Sequence, residues 1–429
     1  MNDPKIDRKS LLQYGFIALP IAFAGFPLYV LAPDFYATRH GISLTLLGTL
    51  LLVIRLFDAV LDPFIGILAD RRQSRSLPLL LIAGLVLCLS IFGLFNLSLV
   101  SPAVWFAFCM LFAVFAYSVL TVILGMQATL WTTDQHDLTR ISASRESFAL
   151  IGLVIAVSTP QILSGFLNQE VIYIYYTAII VVLMAVGLVF FFRAMTKIEA
   201  SAVKKNGASL SLSSAWRALP IESLRLFAVY GLGMLASSIP AVLVIFYVRD
   251  LLGAEHLTGF FLLLYFLSGA AAMPLWKSIS TRIGKHQTWA LSNILAVSGF
   301  IGAYFLGSGD VWAYAVVCLV SGLALGADLT LPPSILADQI HAGRNSAFAG
   351  THYALLAFIA KACLAVASAI ALPVLDAAGF APNAANSASA LATLSAAYAL
   401  IPCALKLAAA ASLYIFFIRP QSDGRLHSQ

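Results

Sequence analysis

Apolar residues fill this chain in stretches of twenty or more, and short polar breaks separate them. The pattern predicts helical spans near 12–32, 44–69, 77–98, 102–127, 144–167, 172–194, 222–247, 256–276, 287–307, 311–336, 345–375 and 388–417. These are the lengths a helix needs to cross a hydrocarbon layer, about 20 residues or more. The longest polar break, 195–221, holds Lys197, Lys204, Lys205, Gly207, several serines and Arg217. It leaves six spans on each side. The expected fold class is therefore an all-α polytopic membrane protein, with twelve transmembrane helices in two six-helix bundles. The N-terminal bundle covers 1–194, a linker covers 195–221 and the C-terminal bundle covers 222–429. The first nine residues are polar and lack a small-residue cleavage site, so the apolar run behind them reads as a retained first helix, not a signal peptide.

Composition sharpens this picture. The chain has 429 residues, of which 61% are hydrophobic and only 10% charged; its mean hydropathy is +0.94. Soluble domains carry about 25% charged residues. The formal charge of +6 does not signal nucleic acid, because the basic residues sit in short loops. Twenty of the 25 fall in one alternate set of loops and termini, and only Arg39 and Arg249 fall in the other; Arg55, Lys361 and Lys406 lie inside spans. That bias places both termini in the cytoplasm and demands an even number of spans. The five cysteines (Cys88, Cys109, Cys318, Cys363, Cys403) all lie in apolar segments without metal-ligand spacing, and read as small core residues. No metal motif, nucleophile elbow or phosphate loop is present, which argues against an enzyme and against any cofactor. The expected partners are the lipid bilayer and a small solute, with the chain acting as a monomer.

Ionisable residues inside spans carry the functional information. The second span contains Arg55, Asp58 and Asp62 before Pro63. Each charge at bilayer depth costs about 2.5–3.5 kcal/mol or more, and such residues mark ion or substrate pathways. At positions i, i+3 and i+7 the three fall within an arc of roughly 60°, leaving the other faces to Leu, Val, Ile and Phe. Two carboxylates can ligate Na⁺ or share a proton. A static Arg–Asp pair that only fixes packing is the alternative, but one arginine does not neutralise two acids. Lys361, in Ala-Phe-Ile-Ala-Lys361-Ala-Cys-Leu, is the reciprocal charge in the second half, expected to pair with Asp58 or Asp62 when the cation is absent. Asp328 lies ahead of Pro332-Pro333 and is expected to shape a cavity or to pair with Lys361. His352 reads as a hydrogen-bonded core histidine, with a proton carrier as the alternative.

An internal echo relates the halves. Gly66-Ile-Leu-Ala-Asp70-Arg71-Arg72-Gln73-Ser74-Arg75 follows span 2, and Lys277-Ser-Ile-Ser-Thr281-Arg282-Ile-Gly284-Lys285-His286 follows span 8. Repeated halves around a midplane site are a common transporter plan. The first loop resembles the cytoplasmic signature of the major facilitator superfamily, with Gln73 at its usual glycine. Arg55-Leu-Phe-Asp58-Ala-Val-Leu-Asp62-Pro63 resembles the second helix of the glycoside–pentoside–hexuronide cation symporters, the melibiose-carrier group. The resemblance extends to Arg145 opening span 5, to Leu331-Pro-Pro-Ser-Ile-Leu-Ala-Asp338 and to Lys361.

The resemblance implies a major facilitator fold of two pseudo-symmetric bundles in a bacterial inner membrane, working by alternating access as a cation-coupled sugar symporter. It implies that Asp58 and Asp62 hold H⁺ or Na⁺, that Ser118 after Tyr117 offers a hydroxyl to the cation, and that Lys361 faces both sites. Arg145, with Glu146, would stand on the cytoplasmic side of the solute pocket, and Thr121 would join its wall. Gly66, Asp70, Arg71 and Arg75, with Asp338 and Arg344 in the second half, would form a cytoplasmic gate. The chain also departs from that family. Leu61 stands where an asparagine often precedes the second aspartate, which favours H⁺ over Na⁺. Helix 1 reads Pro20-Ile-Ala-Phe-Ala-Gly25-Phe-Pro27 without the acid of the sugar carriers, and Thr121-Val-Ile-Leu-Gly125 lacks their aspartate and tryptophan. Gln127, Tyr29, Trp131, Asn293 and Tyr353 remain as polar candidates. A small sugar-like solute is the leading expectation, a lysolipid or other amphiphile the second, and a non-transporting sensor or scaffold a distant third.

Overall fold

The computed structural model describes residues 7–71, 76–131, 135–199, 220–342 and 349–419. Among these, twelve long helices account for nearly all of the chain and no strand is present. They are α1 (Arg8–His40), α2 (Leu44–Arg71), α3 (Ser76–Asn96), α4 (Pro102–Trp131), α5 (Gln135–Ser164) and α6 (Gln169–Glu199). The second half supplies α7 (Ile221–Leu251), α8 (Thr258–Ile283), α9 (Lys285–Phe305), α10 (Val311–Ala342), α11 (Ala349–Ala377) and α12 (Ala388–Ile418). Eleven are long and apolar enough to cross a membrane; the twelfth, α2, is the helix that carries Arg55, Asp58 and Asp62.

Several helices outrun the spans that hydropathy predicts. α1 begins at Arg8 and reaches His40, and α5 begins at Gln135, nine residues ahead of its predicted start. An apolar count sees only the part of a helix that lies in hydrocarbon; the ladder continues through polar turns such as Gln135-His-Asp-Leu-Thr-Arg. α1 stops where the backbone turns left-handed at Gly41 (φ +63°), whose N–H donates to the Tyr36 carbonyl. Glycine takes that cap without strain. Arg39 and His40 occupy its last turn, where positive charge complements the helix dipole.

The chain separates into two compact units, one of residues 1–42 and 53–207, the other of 43–52 and 208–429. The first part of α2 therefore groups with the second half of the sequence. Asp376 Oδ2 accepts from both Thr45 N (3.2 Å) and Thr45 Oγ1 (2.5 Å), a carboxylate at a helix N-terminus where the dipole favours it. Gly48 adds close backbone approach: a Cβ there would lie 2.8 Å from the Ser368 carbonyl oxygen.

Within each unit, small residues let helices touch. In the first, a Cβ on Gly152 of α5 would fall 2.1 Å from the Leu19 carbonyl oxygen of α1. In the second, Gly322-Leu-Ala-Leu-Gly326 brings α10 onto α8; Cβ atoms there would lie 2.3 Å from the Tyr265 oxygen and 2.5 Å from the Gly269 oxygen. Lipid gives no hydrophobic drive between helices, so such van der Waals contact holds membrane bundles together. The α3 surface shows the other half of that logic. Leu80, Ala83, Leu87, Ile91 and Leu94 are buried along one face, while Ile82, Leu85 and Leu89 are each 60% exposed on the other. A helix that is apolar on its exposed face is one whose solvent is lipid.

Candidate cation and solute site

The polar stripe of α2 points into the first unit. Arg55 and Asp58 are 4% and 5% exposed, whereas Leu56, Phe57 and Val60 between and after them are 42%, 50% and 57% exposed. The 3.6-residue period thus does what the sequence requires: charges inward, Leu, Phe and Val outward. Ser118 of α4, fully buried, donates its hydroxyl to Asp58 Oδ1 at 2.5 Å. The hydroxyl and the carboxylate are thus bonded to each other across α4 and α2.

Tyr29 of α1 closes the other side of Arg55. The guanidinium carbon stands 4.8 Å from the Tyr29 ring centroid, a cation–π distance, and Tyr29 meets Tyr117 edge-to-face at 5.7 Å. Tyr29 is held in a π-helical turn at Pro27–Leu31. Pro33 lacks an N–H, so the Tyr29 carbonyl loses its α-helical donor and the local ladder rearranges. Behind Tyr29, Gly25 leaves space: a Cβ there would meet the Tyr117 hydroxyl at 3.3 Å.

Arg55 is not fully matched. Its Nε and Nη2 are buried and have no hydrogen-bond partner among the described residues. A buried unmet donor costs about 1–3 kcal/mol, and more when it is charged, so an arginine in this condition asks for an explanation. Thr121 contributes less than its position suggests. Its hydroxyl donates back to the Tyr117 and Ser118 carbonyls, each at 3.0 Å, and so is spent on its own helix.

In the second unit Asp328, expected to shape a cavity or to pair with Lys361, lines a recess and takes other partners than Lys361. Its Oδ2 accepts from Lys406 Nζ of α12 at 2.5 Å, and its Oδ1 accepts from Trp289 Nε1 of α9 at 3.0 Å. The pair is largely buried, with side chains 12% and 8% exposed. Tyr230, Gly233 and Met234 of α7 line a narrow recess beside Asp328 and Trp289. The reason is register: Asp328 faces back among α7, α9 and α12, where Lys406, the one base of the α12 span, meets it. Lys361 is half-buried on α11. Asn293, one turn beyond Trp289, is 1% exposed and has both amide ends unpartnered among the described residues. His352 is buried against Phe227, ring centroids 6.4 Å apart.

The expected gate is only partly visible. Asp338 accepts from Lys285 at 2.6 Å, so its partner is the first residue of α9, in the segment that echoes Asp70-Arg71. Arg344 and Arg75 lie outside the described residues, as do the surroundings of Gly66 and the side chains of Asp62, Asp70, Arg71, Gln127, Trp131, Glu146 and Tyr353. Arg145, expected to open the fifth span, is half-buried ten residues into α5. Among the described residues no group of three or more His, Cys, Asp or Glu side chains is arranged to hold a metal ion. All five cysteines are free thiols. Sequence reasoning misses two participants. Lys406 stands out only as a lone base in an Ala/Leu-rich span, and Trp289 gives no signal beyond being an aromatic near a helix start.

Comparison with known proteins agrees with this architecture. The family model described as MFS/sugar transport protein matches residues 13–419. The glucuronide carrier protein homolog of Escherichia coli (strain K12) is 24% identical, over 94% of this chain and 90% of its own. The isoprimeverose transporter of Lactiplantibacillus pentosus is 26% identical, over 86% of this chain and 80% of its own. The crystal structure of the nucleoside transporter NupG superposes with a TM-score of 0.71 at 13% identity, covering 96% of this chain and 99% of that one, a likeness of fold. With its helices, its inward-facing charges and a family match spanning nearly its whole length, this chain is an integral membrane transporter that belongs to the MFS/sugar transport protein family.

Proposed function

We propose that the protein is a cation-coupled symporter that moves a small sugar-like solute by alternating access, in the inner membrane of a bacterium, as a monomer with both termini in the cytoplasm. One observation carries the reading: a buried carboxylate, Asp58, receives the Ser118 hydroxyl beside a buried arginine on an otherwise apolar helix. Such a set is expensive in a membrane, and serves an ion that comes and goes. H⁺ or Na⁺ at Asp58, with Asp62 about one turn further along the same helix, lowers the cost of the buried negative charge. Coupling then requires that ion and solute together favour the switching state more than either alone. Leu61, which offers no oxygen, favours the proton as the ion. The loop charges support the orientation, since twenty basic residues lie on one side and two on the other. The sugar-like solutes named for the two relatives support the solute class.

The test is uptake into proteoliposomes holding the purified protein. A neutral or acidic sugar should accumulate against its gradient when a pH or Na⁺ gradient is imposed, and should only equilibrate without one. Accumulation of lysolipid instead, or equal uptake with and without either gradient, would overturn the reading.

A further inference from the structure

We propose that the cytoplasmic rim of the second unit, where α7, α9 and α12 meet, binds the headgroup of an anionic phospholipid, with Arg225 and Arg419 on its phosphate. The proposal is independent of ion and solute, and takes from the reading above only the side of the membrane on which this rim lies. Two neighbouring phenylalanines near the end of α12 gather the site. Phe416 lies under Arg225 of α7, whose guanidinium carbon is 5.7 Å from the ring centroid, a cation–π distance. Phe417 lies against His286 of α9, with ring centroids 4.6 Å apart and planes within 12° of parallel. The end of α12 thus draws Arg225 from one neighbour and Lys285-His286 from the other, and the exposed Arg419 follows as its C-cap.

This rim differs from a solvated row of charges. Arg225 is exposed and makes its described contact through the face of the guanidinium. Stacking leaves the in-plane N–H groups to other partners, and no hydrogen bond or ion pair among the described residues takes them. Such a planar fork matches phosphate oxygens in pairs. The arginines are also set among exposed apolar residues, Ile221 and Leu224 on α7 and Tyr414 and Ile415 on α12. That surface places them at the hydrocarbon boundary, where acyl chains cover the apolar side chains and a headgroup supplies the counter-charge. Two described acids, Asp338 and Glu222, share the rim. Asp338 is taken by Lys285 at 2.6 Å, and Glu222 stands exposed in the first turn of α7. Against them are Arg225, Arg282, Lys285 and Arg419, so the rim keeps a net positive charge. Basic pockets between helices on the cytoplasmic side are where anionic headgroups bind.

Thermal unfolding of the purified full-length protein in detergent tests this, with phosphatidylglycerol, phosphatidylcholine of the same acyl chains, or inorganic phosphate added. A ligand of the folded state raises the midpoint as its concentration grows. Phosphatidylglycerol should raise it at concentrations about tenfold lower than phosphatidylcholine needs, the scale of two arginines at an anionic surface, and phosphate alone should do nothing. Arg225→Gln and Arg419→Gln together should erase that preference. Arg8→Gln and Lys9→Gln together, which remove as much charge from the exposed start of α1, should keep it. Arg225→Gln alone, an exposed change that puts folding least at risk, should show part of the loss. Equal response to both lipids in the wild type, which needs no variant to fold, would overturn the proposal. So would an unchanged preference without the two arginines, or an equal loss in the α1 control, the result of a general attraction to basic rims. A shift with phosphate alone would make the site one for a free anion and overturn the lipid assignment.

Discussion

Two of the buried charge clusters among the described residues, one in each unit, are finished to different degrees. In the second unit, Asp328 has each carboxylate oxygen matched, one to Lys406 and one to Trp289. In the first, Asp58 is matched by Ser118, yet Arg55 keeps two buried donors without partners among the described residues. A satisfied buried pair can serve as scaffold; an unsatisfied one holds free energy that a ligand can release. Charge inside a membrane therefore does not by itself identify a working site. What separates the two is whether the hydrogen-bonding account closes.

That contrast can be broken or sharpened by mutation. The largest effect is expected at Asp58. Asp58→Asn should reduce gradient-driven accumulation to background while the purified protein remains monodisperse; wild-type accumulation would remove Asp58 from coupling. Next comes the closed pair. Losing one member of a buried ion pair costs about 3–5 kcal/mol, while replacing both with apolar groups is often neutral. Asp328→Leu or Lys406→Met should therefore each lower unfolding stability by about that amount, and the double variant should recover most of it, as read from denaturant unfolding in detergent. Should the double variant stay folded but lose coupling, the second cluster would be a working site as well, and the contrast would fail. Ser118→Ala should cost about 1.5–3 kcal/mol, the worth of a hydrogen bond to a charged group. Because that bond is made to the ion-free carboxylate, its loss destabilises the empty site and would appear as roughly 10- to 100-fold tighter proton loading in exchange. Thr121→Val should change little, under about 0.5 kcal/mol, because its hydroxyl only bonds back to its own helix.

Much of this is legible before any coordinates. Eleven of the helices have the hydropathy of a membrane span, and in the twelfth the inward stripe of Arg55 and Asp58 follows from a 100° step between residues. Where the sequence falls short, the missing quantity is mostly a distance between segments far apart in the chain. Asp328 has two candidate bases, Lys361 and Lys406, 33 and 78 residues away; only the packing of α9, α10 and α12 chooses between them. Thr121 and Ser118 look alike in sequence, three residues apart in one apolar helix. Their difference lies in rotation: one hydroxyl reaches another helix, the other folds back. The π-helical turn that presents Tyr29 is similarly hidden, although Pro27 and Pro33 are there to suggest a disturbed ladder.

The matched Asp328–Lys406 pair also has a consequence for descent. Each member is tolerable only in the presence of the other, so a lineage that loses one at a time must first pass through a poorly folded ancestor. Changes at these two positions should arise together or not at all, and homologues should display either the full couple or an apolar substitute for both. A chain found with a lone acid or a lone base at these places would have to show a new partner nearby.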